Sequence, residues 1–290
     1  MKKALALLMT LLTLALLAAG CAAGETDSAK ETPYEETGTA TPTETVTEPE
    51  IGGNFSDEMK IPYGTDLDAY GADSVERSGD HPGSVYFSNI DPYNMKSNET
   101  LTILEGFKTQ QQTSEWSCGV SSALMVLDWF GKLGDNDEVT LSAFRSERQG
   151  RNGPTGGTTP GATNLQQMID IFDGIGGFDV YSTFDCVENV DEVFTLGYIQ
   201  ETLANGDPIM IGWNDWGGHW QAIIGYDDMG TDIENDDVII VADPYDTTDH
   251  NQDGYGVYGA ERFIYNFTFY DLFPEDELNY KTFLVATPQA

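Results

Sequence analysis

Cys118 stands in the run "TSEWSCGVSSALMVLDWFG", where a polar approach gives way to an apolar, helix-forming pattern. A thiol becomes a catalytic nucleophile only as a thiolate. It then needs a base, a group that orients the base, and donors for a developing oxyanion. A free thiol with a pKa of about 8.5 is mostly protonated at neutral pH, and a helix N-terminus or a neighbouring imidazolium lowers that value. Cys118 falls where the helix is predicted to begin, so the unpaired N–H groups and the macrodipole there favour a negative sulfur. Gly119 is expected to leave backbone room for a substrate carbonyl. The competing reading makes Cys118 a small buried hydrophobe at a helix start.

Only three histidines can serve as base. His81 lies in "SGDHPGS" and His250 in the acidic loop "TTDHNQDGY". His219, in "WGGHWQAIIGYDD", heads an apolar strand after two glycines, a place from which an imidazole can face a cleft while the strand stays rigid. Its alternative is a half-buried structural histidine. Asp243 ends the next strand, "DVIIVADPY". If the two strands pair antiparallel, Asp243 approaches His219 and fixes its tautomer; otherwise it belongs to an Asp-Pro turn. Gln112 stands six residues before Cys118 and can donate its side-chain amide to an oxyanion. The run Gln110–Gln112 leaves the register open, and solvated filler is the other reading.

The elements that must position these residues follow from periodicity. Val120, Ala123, Leu124, Leu127 and Phe130 recur at helical spacing, and Met125, Val126 and Trp129 make the opposite face apolar as well. A helix apolar nearly all round belongs inside a domain. Upstream, "ETLTILEGFKTQ" reads as a strand, preceded by loop-like sequence from Ile51 to Asn98. Downstream, "GRNGPTGGTTPGAT" reads as a long loop and a candidate cleft wall. A second helix, "NLQQMIDIFDGIG", follows with a Thr163/Gln166 capping box, then a third, "LGYIQETLANGDP". "DVYSTFDCVE", "PIMIGW", "HWQAIIGYDD", "DVIIVADPY", "RFIYNFTFYDLF" and "KTFLVATP" read as strands. Helices first and strands afterwards predict an α+β domain with an antiparallel sheet packed on a buried helix. Trp116, Trp213, Trp216 and Trp220 flank the candidate segments and are expected to pack around the site.

The order Gln…Cys-Gly…His…Asp-Pro, carried by "QTSEWSCGVSSALMVLDWFG", "GGHWQAIIGYDD" and "VIIVADPYD", resembles the papain-like cysteine peptidases. It is most similar to the family that cleaves bacteriocin leaders after double glycine, with its exported lipoprotein relatives. The resemblance implies a papain-like α+β fold with Cys118 as nucleophile, His219 as base, Asp243 as orienting group and Gln112 as oxyanion donor. Family members that process bacteriocins are usually fused to transporters, so the double-glycine substrate is not carried over to this chain.

Lys2, Lys3 and the apolar run that follows form a signal segment over 1–20, ending in "LLAAGC". That ending looks like a lipobox with Cys21 as the lipidated residue, which predicts an exported protein anchored to the outer face of the cell membrane; an ordinary signal peptide with a chance cysteine and a lone membrane-spanning helix are the alternatives. Residues 21–55 are rich in Glu, Thr and Pro and read as a disordered acidic tether. Residues 56–100 form an irregular extension, and 101–290 the peptidase domain. The chain carries 49 acidic and 13 basic residues, a formal charge of −36, which makes nucleic acid a poor partner. A Cys118–Cys186 bridge is the structural alternative for the two remaining cysteines. "DTTDHNQDGYG" places Asp249, Asn251, Asp253 and Gly254 as the first half of a calcium loop, with Ala260 where the twelfth-position Glu would stand. An Asx-rich turn is its alternative.

These features predict a surface thiol hydrolase acting on a peptide or isopeptide bond of a peptide or protein substrate. No cofactor is required, and calcium is the one candidate ion. The rival readings are a catalytically silent or calcium-binding lipoprotein, and acyl transfer (transglutaminase or amidase) with the same residues.

Overall fold

The computed structural model describes residues 57–62, 64–65, 67–68, 70–72, 90–247, 252–270 and 272–290. All of them belong to the unit Thr47–Ala290. The expected signal segment, the tether with Cys21, and residues His81, Asp249, His250 and Asn251 lie outside the described residues.

The described part of the irregular extension has only short turns, at Asp57–Met59 and Pro92–Asn94. It still reaches the core, where Met59, Ile61 and Ala72 are buried. Strand β1 (Leu101–Ile103) is shorter than its apolar text suggests, because Gly106 turns the chain at φ +73°. Helix α1 (Cys118–Trp129) is buried at every position from Cys118 to Leu127, as its all-round apolar pattern requires. Helix α2 (Glu138–Ser142) follows, with reciprocal capping by Asp137 and Thr140.

The Gly/Pro/Thr stretch is not a plain loop. It begins as a two-stranded hairpin, β2 (Arg148–Gly150) against β3 (Gly153–Thr155), closed over Arg151 and Asn152 with Gly153 at φ +128°. Helix α3 (Leu165–Ile175) starts one residue later than expected. Asn164 is the N-cap, accepting from the Gln167 N–H while Gln167 returns the bond. Thr163 is withdrawn into the core instead, where its oxygens serve Arg145 and Trp220.

The remaining elements are β4 (Phe178–Ser182), α4 (Val190–Val193), α5 (Leu196–Ala204), β5 (Ile209–Trp213), β6 (His219–Asp227), β7 (Val238–Ala242), β8 (Tyr255–Gly259), α6 (Ala260–Asn266) and β9 (Thr282–Pro288). The segment from Arg262 to Asn266 was expected as strand and is helix. Phe263 on the helix and Phe267 at its C-cap bring their rings to 4.8 Å between centroids, both buried in the core. "DVYSTFDCVE" is strand only as far as Ser182, then a 3-10 turn over Thr183–Asp185.

The sheet runs β4-β9-β5-β6-β7-β8, with β1 pairing the far end of β6, and every pairing is antiparallel. All of β5 and all of β6 but its last residue are buried, so the centre of the sheet is covered on both faces. α1 packs along β6, and the Ser122 hydroxyl donates to the Trp220 carbonyl at 3.1 Å. This is the α+β arrangement of a buried helix on an antiparallel sheet that the sequence predicts. Cys118 and Cys186 are both free thiols, which removes the bridge reading.

Gly119 has a packing role rather than the substrate-access role expected for it. A Cβ there would sit 2.9 Å from Thr163 Cβ and 3.1 Å from Met168 Cε, so the glycine lets α1 close onto α3 and its approach. Gly119→Ala is expected to cost about 1–3 kcal/mol through overpacking, read as a lowered midpoint in thermal or denaturant unfolding.

Candidate active site

The β5–β6 hairpin brings His219 to the sheet's end. Trp213 and His219 form its last pair, and Asn214 to Gly218 make the connection. On the other side, β6 and β7 are in register at Ala222 and Ala242. Extending that register by one places Asp243 opposite Gln221, and two residues along β6 on the same face is His219. His219 Nε2 lies 2.6 Å from Asp243 Oδ1. The same oxygen accepts the Tyr245 N–H at 2.8 Å, while Oδ2 accepts from Gln221 Nε2 at 2.8 Å. Gln221 is itself fixed: its Oε1 accepts from Trp213 Nε1, and its Nε2 also donates to Asp215 Oδ2 and Tyr258 Oη. Gln221 carries one signal in the sequence: it is a polar residue at i+2 from the candidate base in an otherwise apolar strand.

The third member arrives from α1, whose first residue is Cys118. With Nε2 committed to Asp243, Nδ1 is the ring nitrogen left for the sulfur. Burial of His219 disfavours its cation. The Asp243 charge and hydrogen bond, and the hydrogen bond and charge of Cys118, outweigh burial and hold the imidazole protonated well above the ordinary histidine range. Asp243 is also buried, which favours its neutral form. The His219 charge and hydrogen bond, the Tyr245 N–H and the Gln221 amide prevail and keep it below the usual carboxylate range.

Gln112 joins the group through its backbone. Its N–H donates to the Pro244 carbonyl at 2.8 Å, tying the approach to α1 to the residue after Asp243. Its side chain is buried, with Nε2 donating to the Ser114 carbonyl at 2.6 Å and Oε1 unpartnered. Gln110 and Gln111 are buried as well, so none of the three is solvated filler. Gln112 alone of the run lines the cavity of about 260 Å³ beside His219, together with Glu115, Trp216, Gly218 and Tyr245. A smaller cavity of about 130 Å³ lies toward Asp215, Asp243 and Tyr258.

Of the four flanking tryptophans, three pack. Trp213 binds Gln221, Trp220 donates to the Thr163 carbonyl at 2.7 Å, and Trp116 lies against the Arg145 guanidinium. Trp216 departs from the expectation. It is 63% exposed, with its ring 4.5 Å from Tyr245, and forms a wall of both cavities.

Two buried charges flank the start of α1, and sequence reasoning missed both. The Glu138 carboxylate accepts hydrogen bonds from Ser117, Ser121 and Thr113. Burial raises its pKa against those bonds. Arg145 is caged by carbonyls of the Gly-rich stretch, which therefore serves as its holder; that stretch lines neither cavity beside His219. Burial brings the Arg145 pKa down to about 10; the Cys118 charge works to raise it and Arg148 to lower it.

Of the candidate calcium residues only Asp253 is described. Its Oδ1 accepts the Tyr255 N–H, and its main-chain carbonyl accepts from Lys60 and Thr109. Among the described residues, no three His, Cys, Asp or Glu side chains are grouped to hold a metal ion.

The model of the Peptidase_C39 like family matches residues 104–267, a span that contains Gln112, Cys118, His219 and Asp243. The chain belongs to this family. The family is one of cysteine peptidases. Among solved structures, a crystal structure of UfSP from C. elegans aligns over 69% of this chain and 37% of its own, at 17% identity and a TM-score of 0.33. This chain thus spans little more than a third of that protein's length. No curated protein sequence matches the chain.

The His219–Asp243 pair has a defined pH window. His219 is shifted up, so its contribution to stability is complete below about pH 6.5 and is lost as pH rises through the raised value. Asp243 is shifted down, so its share is complete above about pH 3.9 and is lost as pH falls through the lowered value. Asp243→Asn is expected to lower the His219 titration by more than about one unit, read from the imidazole proton shifts in NMR.

Proposed function

We propose that the chain is a thiol hydrolase cleaving peptide or isopeptide amide bonds, with Cys118 as nucleophile, His219 as general base and acid, and Asp243 as the orienting carboxylate. Gln112 and the Cys118 N–H are the oxyanion donors. The observation that carries this reading is the 2.6 Å His219–Asp243 contact on an imidazole that Cys118 also reaches.

In this reading the Cys118 thiolate attacks the substrate carbonyl while His219 holds the proton. The oxygen of the tetrahedral adduct takes its hydrogen bonds from the Cys118 N–H and from the second Nε2 hydrogen of Gln112, the first being committed to Ser114. His219 then gives its proton to the leaving amine. Water, deprotonated by His219, attacks the thioester and releases the acid. Gln221 acts through Asp243, holding its Oδ2 while Oδ1 meets the ring.

The location belongs to the same proposal. The charged start, apolar run and "LLAAGC" support export and lipidation at Cys21, which would set the domain at the outer face of the membrane. Calcium at the loop of Asp249, Asn251 and Asp253 is a separate proposal that rests on the D-x-N-x-D-G spacing alone. A calcium titration that raises the melting temperature supports it, and an unmoved melting temperature rejects it.

Cys118→Ala is expected to abolish peptide hydrolysis, and Gln112→Ala to lower kcat by about 10²–10³ with KM little changed, the loss typical of one oxyanion donor. Product analysis with an added primary amine reads the alternative outcome: amide product in place of acid would assign acyl transfer.

A further inference from the structure

We propose that Arg145 is the fixed counter-charge of the nucleophile, a positioning residue that holds Cys118 as thiolate through its field rather than by contact. The inference rests on the reading of Cys118 as the working thiol.

A buried ionised side chain is normally paired with an opposite charge, because removing it from water unpaired is costly. Arg145 is 2% exposed, yet its guanidinium meets only neutral acceptors. Nε donates to Gly157 O, Nη1 to Gly161 O and Thr163 Oγ1, and Nη2 to Gly157 O and Thr159 O, all at 2.7–3.1 Å. Among the described residues no carboxylate forms an ion pair with it, whereas the neighbouring Arg148 pairs with Glu277 at 2.8 Å. The donors are satisfied and the charge is not.

The position of that charge is set from both sides of Cys118. The guanidinium carbon lies 4.3 Å from the ring centroid of Trp116, two residues before the sulfur. Thr163, which accepts from Nη1, is the residue that a Cβ on Gly119 would meet at 2.9 Å, one residue after the sulfur. Arg145 is therefore held against Trp116, before Cys118, and against Thr163, the packing neighbour of Gly119 after it.

The other charges around the thiol do not replace it. His219 and Asp243 form a pair whose net charge is zero once the imidazole is protonated. Glu138, facing the first turn of α1 through Ser117 and Ser121, carries the same sign as a thiolate and opposes it when ionised. Arg148 is neutralised by Glu277. In a chain of net charge −36, the background field also disfavours an anion at this place. Arg145 is the one unpaired cation at the start of α1 among the described residues. Its guanidinium donates into the oxygens of Gly157, Thr159, Gly161 and Thr163, which hold the charge in place.

The test is the rate of iodoacetamide alkylation of the full chain across pH 4–9, followed at the Cys118 peptide by mass spectrometry. Wild type is expected to alkylate with its rise well below the pH of a free thiol. Arg145→Gln should shift that rise upward by about one unit or more, a roughly tenfold slower reaction at pH 5. Arg145→Lys, which keeps the charge, should stay within about threefold of wild type, a rescue that a purely structural role would not predict. Should Arg145→Gln not fold, Thr163→Asp carries the test by setting a carboxylate against Nη1, and the same upward shift is expected. A folded Arg145→Gln or Thr163→Asp with the wild-type pH profile overturns the role of Arg145 while leaving the thiol reading intact. A wild-type profile like that of a free thiol overturns both.

Discussion

The candidate site depends on the register between β6 and β7. Side chains alternate across a strand, so a slip of one residue would turn Asp243 to the opposite face and leave His219 without its carboxylate. Three features hold the register at the end that matters. Gln221 donates across the strand pair to Asp243, the Tyr245 N–H closes a turn back onto the same carboxylate, and the Gln112 N–H grips the Pro244 carbonyl. The irregularity between Ile223 and Gly225 lies further along β6, beyond which β1 takes up pairing, so the change of twist is absorbed away from the site.

A second constraint is the way the start of α1 is supported without being capped. Ser117 occupies the N-cap position but makes no side-chain cap; its hydroxyl is directed to the Ser114 carbonyl and Glu138. The N–H groups of the first turn are thus not spent on a cap, and they remain for a negative sulfur and an oxyanion. Stability comes from the flanks instead, where Glu138 organises the hydroxyls of Thr113, Ser117 and Ser121, and Arg145 organises the carbonyls from Gly157 to Gly161. The two buried groups act on the sulfur with opposite sign, and hydrogen bonding by three hydroxyl donors blunts the unfavourable one.

What could be read from the sequence was set by residue identity and local pattern. With three histidines in the chain, the one heading an apolar strand was conspicuous, and a helix apolar all round had to be central. What could not be read depended on contacts distant in sequence. Arg145 is an ordinary surface-type residue until the chain from Gly157 to Thr163 closes around it. Gly119 looked like a site residue because the neighbour that requires it, Thr163, lies far along the chain. The aromatic run after Arg262 carries strong strand propensity, yet pairing of Phe263 with Phe267 in the core decides for helix. The helix cap was misplaced by one because Thr163 and Asn164 are both good caps, and only the burial of Thr163 separates them.

The wall of the cleft is joined by hydrogen bonds to the His219–Asp243 pair. Trp216 adopts a left-handed conformation, φ 47° and ψ 34°, which for a residue with a bulky side chain costs on the order of 1 kcal/mol or more. That conformation keeps the indole outward over Tyr245 instead of folding it into the core with the other tryptophans. The turn is held by Asp215, whose carboxylate receives both Gln221 Nε2 and the Tyr258 hydroxyl. Gln221 is also the residue that holds Asp243. One amide group therefore spans the turn that presents Trp216 and the carboxylate that orients His219.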